Sequence, residues 1–169
     1  MRFLKSLFLG LSLLAMTGVA LADNVKVEGT RFTFEVPGGW QPGYKDLDNL
    51  FMIYFKDPKS GAALEGVYLR GVQAPTFTMD DFKKARIAGE GKRYEGKGHT
   101  VIKEDGITIG GEKGHYLLTA WKEGAKDMEK HTALYLKDGN RYLVVISGEK
   151  GKVDKAVFDH AVKTFALVK

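Results

Sequence analysis

The sequence predicts an α+β domain, an antiparallel β-sheet of about six to seven strands sandwiched by helices. Three observations predict it. Short alternating or β-branched segments separated by Gly, Pro and Asp turns fill most of the chain. One capped helical segment interrupts them, and an amphipathic stripe closes the C-terminus.

The first strand is Arg31-Phe32-Thr33-Phe34-Glu35-Val36, which alternates polar and apolar residues. Pro37-Gly38-Gly39 stops it, and a loop containing Trp40, Asp46 and Asp48 follows. Leu50 to Lys56 is dense in aromatic and β-branched residues. Asp57-Pro58-Lys59-Ser60-Gly61 turns the chain, since Pro presets φ and Gly admits positive φ. Ala63 to Val72 returns as the second arm of a hairpin.

Thr78-Met79-Asp80-Asp81 reads as a capping box with Asp in place of Glu, and its two acids suit the helix dipole. The helix is expected from about Met79 to Ala88, fraying through Gly89 and Gly91, with Met79, Phe82 and Ala85 as its apolar face. Four strands come next. His99 to Lys103 passes through Asp105-Gly106 into Ile107-Thr108-Ile109. His115 to Lys122 pairs with Lys130 to Lys137 across a charged loop holding Glu123, Asp127 and Glu129. Asp138-Gly139-Asn140 is a tight-turn signal that leads into Arg141 to Ser147. The Leu143-Val144-Val145-Ile146 run marks a central strand covered on both faces. Val153, Val157, Ala161 and Phe165, broadened by Phe158 and Val162, form a helical stripe that packs on the sheet.

The N-terminus reads as a targeting segment. Arg2 and Lys5 precede an apolar stretch from Leu7 to Val19, and Ala20-Leu21-Ala22 has the small-x-small pattern of a cleavage site. The expected cut lies before Asp23, so residues 1–22 are a signal peptide and residues 23–169 one domain. No cysteine is present, which excludes lipid attachment at the cut, disulfides, thiol catalysis and Cys-zinc sites. Removing the leader takes away two basic and no acidic residues, which lowers the net charge from +5 to +3. That excess is dispersed along the chain, so no nucleic-acid face is expected, and no other apolar run is long enough for membrane insertion after cleavage.

Phe32-x-Phe34-x-Val36-Pro37-x-x-Trp40 resembles the opening of PsbP-like and DcrB-like proteins. Gly111-x-x-Gly114-x-Tyr116 and the final helix ending near Thr164-Phe165 are similar to the same family. The resemblance implies an antiparallel sheet between helices, and accessory roles in photosystems and bacterial envelopes rather than metabolic catalysis.

The residues themselves offer little chemistry. Ser60 and Ser147 are the two serines beyond the leader, and neither sits in a nucleophile elbow. Asp80 and Asp81 are dipole partners of a helix. Gly110-Gly111-Glu112-Lys113-Gly114 lacks the ending of a P-loop, and Gly89-x-Gly91 lacks the third glycine of a dinucleotide fingerprint. The sharpest constellation comes from pairing the 115–122 and 130–137 strands about residues 123–124. That register gathers His115, Leu117, Thr119, Trp121, His131, Ala133 and Tyr135 on one face, with the two histidines opposite or diagonal. Two imidazoles alone make a poor metal site, so no metal and no cofactor is assigned, and His99 and His160 stand apart.

The expected function is therefore a non-enzymatic periplasmic or secreted protein that binds an envelope protein or a small ligand. Its contact surface would be His115, Trp121, His131 and Tyr135, or the loop around Trp40. Two alternatives stay open: a metal-handling protein or enzyme using His115 and His131, and a structural subunit of an envelope assembly.

Overall fold

Antiparallel hairpins, most of them closed by two-residue turns, build the main sheet of the computed structural model, which describes residues 25–28, as backbone, and 31–168. The expected leader, residues 1–22, lies outside the described residues. Strands β3 (Gln41–Leu47) and β4 (Leu50–Lys56) pair first, and β4 continues into β5 (Ala63–Leu69). Further on, β6 (Thr100–Ile109), β7 (Glu112–Glu123), β8 (Lys126–Lys137) and β9 (Asn140–Glu149) form a meander. Asp138 and Gly139 both take positive φ, 49° and 71°, as the turn that matches strand twist requires. The seven strands lie antiparallel in the order β3-β4-β5-β9-β8-β7-β6.

Helix α1 (Met79–Arg93) covers one face of this sheet. Helix α2 (Lys155–Thr164) and a second sheet, ordered β1 (Val25–Glu28), β2 (Phe32–Val36), β10 (Ala166–Leu167), cover the other. Strand β9 is central and feeds both cores. Tyr142, Val144 and Ile146 enter the α2 side, and Leu143 and Val145 enter the α1 side, which explains its unbroken apolar run.

Two expectations need correction. Phe32–Val36 belongs to the small sheet, and the seventh strand of the main sheet is β3, which the sequence reads as a loop. Pro42, Gly43 and Asp46 give β3 poor strand propensity, and only its position at the edge of the sheet tolerates them. The helix expected to end at Ala88 runs five residues further, to Arg93. Its start is as expected. Thr78 Oγ1 accepts from Asp81 N at 3.2 Å, and the Asp81 carboxylate accepts from Thr78 N at 2.9 Å. Gly89 and Gly91 do not stop it, because Glu90 and Tyr94 at its end are buried against the sheet.

The α2-side core is aromatic. Phe32 and Phe34 of β2 are fully buried with ring centroids 6.0 Å apart, and Phe32 stacks on Phe165 at 5.8 Å. Both rings lie over Gly66 of β5, where a Cβ would run into them. Glycine is required at that position by space rather than by backbone angle.

Gly66→Ala is expected to lower stability by about 1–3 kcal/mol through overpacking. Gly91 stands in open space on α1, and Gly91→Ala is expected to raise stability by about 0.5–1 kcal/mol. Urea unfolding of the two variants beside the parent measures both shifts.

Candidate functional site

The register of the β7–β8 hairpin sorts the candidate residues. Glu123 pairs with Lys126 across Gly124-Ala125, so His115 lies opposite Leu134 and His131 opposite Leu118. The common face expected from the sequence needs odd-numbered residues of β7 opposite odd-numbered residues of β8, whereas the observed register sets odd opposite even. Because strand side chains alternate, His131, Ala133 and Tyr135 move to the other face. His115 and Trp121 lie on the α1 side of the sheet, whereas His131 and Tyr135 lie on the α2 side, and the expected common face does not form.

Burial removes more of that surface. His131 is buried with Nδ1 2.8 Å from the Tyr116 hydroxyl and its ring 5.7 Å from Phe158, and burial pushes its pKa down. Tyr135 is buried against Tyr142 and Phe165, and its hydroxyl pKa is pushed up to about 12, first by burial and then by Glu112. Trp121 is buried beneath Tyr94. His115 and Trp40 are half-buried, His115 lying 3.7 Å from Glu104 and Trp40 packing on the α2-side core. The two histidines therefore cannot share a ligand. Among the described residues, no group of three or more His, Asp or Glu is placed to hold a metal ion.

The residues the structure does bring together lie under the end of α1. Lys130 of β8 sits opposite Thr119 of β7, facing α1, and is buried. Glu90 descends onto it from the helix. Its carboxylate accepts from Lys130 Nζ at 3.1 Å, from Thr119 Oγ1 at 3.1 Å and from Arg86 one turn earlier at 2.8 Å. His99 Nε2 stands 3.5 Å from the same carboxylate. Lys130 also donates to the Tyr94 hydroxyl at 2.9 Å, and its ammonium lies 4.8 Å and 5.0 Å from the centres of the Tyr94 and Trp121 rings. Those rings stack at 4.4 Å, and the His99 ring stacks on Tyr94 at 5.8 Å.

Burial disfavours ionisation of Glu90, but Arg86 and Lys130 outweigh it and hold its carboxyl below the usual range. Such a carboxylate is a weak base at neutral pH, so the cluster is built to hold charge rather than to move protons. Nearby Glu65 shifts the opposite way, because burial raises it more than Lys130, Arg86 and Arg93 lower it.

His99, set apart in the sequence, belongs to this cluster, and His160 lies 2.7 Å from Glu35 on the opposite side of the sheet. Glu90 and Tyr94 fall beyond the expected helix end, which is why the sequence reading misses them. One signal was available. Phe82, Arg86 and Glu90 recur at four-residue spacing, which places them on one helix face.

Glu90→Gln is expected to destabilise the protein by about 3–5 kcal/mol, because Lys130 is left buried without a counter-charge. Glu90→Leu with Lys130→Met is expected to recover most of that loss. The folded pKa of Glu90 lies below its unfolded value. Its contribution is therefore present above about pH 4.3 and is lost as the pH falls through the folded value. Thermal melts of Glu90→Gln should accordingly show a flatter acid limb than the parent.

No protein-family model matches the chain, and no curated protein matches it. Solved structures do. Cyanobacterial PsbP (CyanoP) from Synechocystis sp. PCC 6803 superposes with a TM-score of 0.65 at 15% identity, covering 92% of this chain and 99% of that one. A protein from Bacteroides thetaiotaomicron superposes with a TM-score of 0.53 at 13% identity, covering 88% of this chain; the chain spans about half, 49%, of that protein's length. The fold, an antiparallel sheet between helices, is the PsbP-like fold.

Proposed function

We propose that the chain is an exported, non-enzymatic accessory protein of the cell envelope that binds an envelope protein or a small ligand. The observation that carries this reading is the backbone likeness to CyanoP over nearly the full length of both chains. The leader pattern of residues 1–22 supports export to a periplasmic or extracellular location. The ionisable groups under α1 also fit a binding role, since Glu90 and Lys130 neutralise each other instead of lining a reaction cleft. No nucleic-acid role is included, because the charge excess is dispersed. Among the described residues no helix is long and apolar enough to cross a membrane.

Of the residues first considered for a contact surface, His115 and Trp40 keep exposed area and remain candidates, on different sides of the sheet. The metal-handling alternative is dropped, because its two histidines lie on opposite faces.

Cell fractionation with intact mass measurement tests the reading. The expected result is a chain beginning at Asp23 in the extracytoplasmic fraction. Recovery of the full 169-residue chain in the cytoplasm would remove the export claim.

A further inference from the structure

Beside the buried Glu90 cluster, α1 and strands β5 and β9 line a half-open recess of about 200 Å³. Arg86 and Arg93 reach it from the helix and Arg141 from β9, with Glu90 as the sole acidic residue in its lining. Leu69, Phe82 and Ala85 supply an apolar wall. Gly89 also lines it, and a Cβ there would meet nothing within 4 Å, so the helix leaves the space open at this point.

The donors exceed the acceptors. Arg86 gives one Nη to Glu90, and Arg141 gives one Nη to the Arg70 carbonyl at 3.2 Å. The Nε–H groups of both arginines are buried and have no acceptor, an arrangement that native proteins reserve for sites with a reason. Arg93 lies 5.5 Å over the Tyr94 ring, and among the described residues neither Arg93 nor Arg141 has a salt bridge. Glu90, shared with Lys130, and nearby Glu65 are the two acids set against the three guanidiniums and Lys130. Four cations against two carboxylates leave the recess positive by about two charges, part of which Arg93, exposed at its rim, shares with solvent.

We propose that this recess binds the phosphate group of a small phosphomonoester. The proposal deepens the ligand-binding reading given above and rests on it. Guanidinium forks match the oxygens of a phosphate, and three forks suit a dianion better than a single carboxylate. The volume is below the ~300–1,000 Å³ of clefts that enclose drug-sized ligands. It holds a phosphate and a few carbon atoms against Leu69 and Phe82.

The test is an NMR titration of 15N-labelled protein from its producing cells, read at the arginine Nε–H signals. Millimolar inorganic phosphate and phenyl phosphate are the soluble probes, and succinate is the carboxylate control. Saturable shifts of the Arg86 and Arg141 signals are expected with the phosphates, and markedly weaker ones with succinate. Arg93→Gln and Arg141→Gln should each weaken binding about tenfold. Gly89→Leu, which fills the space and keeps every charge, should abolish it in a protein whose amide spectrum stays folded.

Vesicles containing phosphatidic acid identify the source. Co-sedimentation that is lost in Arg141→Gln assigns a lipid headgroup, and phosphate shifts without co-sedimentation assign a soluble ester. Unmoved arginine signals with every probe would overturn the proposal, as would binding unchanged in the variants or succinate binding as tight as phosphate. Those outcomes leave the export claim standing, because fractionation tests it separately.

Discussion

Glu123 pairs with Lys126 across the Gly124-Ala125 turn, and every cross-strand partner in β7 and β8 follows from that pairing. Gly124 at the first turn position takes a φ of 62°, so the chain reverses in two residues without strain. The consequence reaches far beyond the turn. Lys130 and Thr132 point toward α1, while His131 and Tyr135 enter the aromatic core under α2. A slip of one residue would put the lysine among phenylalanines and the aromatic rings under the polar helix end, which the core could not accommodate.

Lys130 then decides how α1 docks. A buried ammonium without partners would cost several kcal/mol, so the helix must bring Glu90 and Tyr94 down onto it. This requirement explains why α1 continues through two glycines that would end an exposed helix. An ion pair of this kind adds little net stability compared with apolar packing of the same volume, but it penalises every misplaced arrangement of the helix. The pair works as a positioning device.

The two faces of the sheet consequently differ in character. The α2 face is closed by Phe32, Phe34, Phe158 and Phe165, all buried, with Phe32 stacked on both Phe34 and Phe165. The α1 face holds the buried Glu90–Lys130 ion pair, with the arginines at its margin left short of acceptors. The backbone shared with CyanoP at 15% identity shows how much sequence change this arrangement of layers tolerates. Fold and function separate at that level, and the binding role proposed for this chain rests on the particular residues gathered under α1.

The fold class was legible because it rests on local patterns. Alternation in β2, the unbroken apolar run of β9, the Thr78–Asp81 cap and the stripe of α2 each follow from residues within one element. The Asp138-Gly139 turn was legible for the same reason. Strand β3 was not, since its pairing with β4 comes from its place at an edge rather than from its own residues. Neither was the cluster of Glu90, Tyr94, His99 and Lys130, whose members lie up to 40 residues apart in sequence. Local propensity sets most of the segments that form strands and helices, and sheet edges and docking decide the rest, as in β3 and the end of α1. Register and docking set which side chains meet, and those depend on burial and charge balance summed over the whole domain.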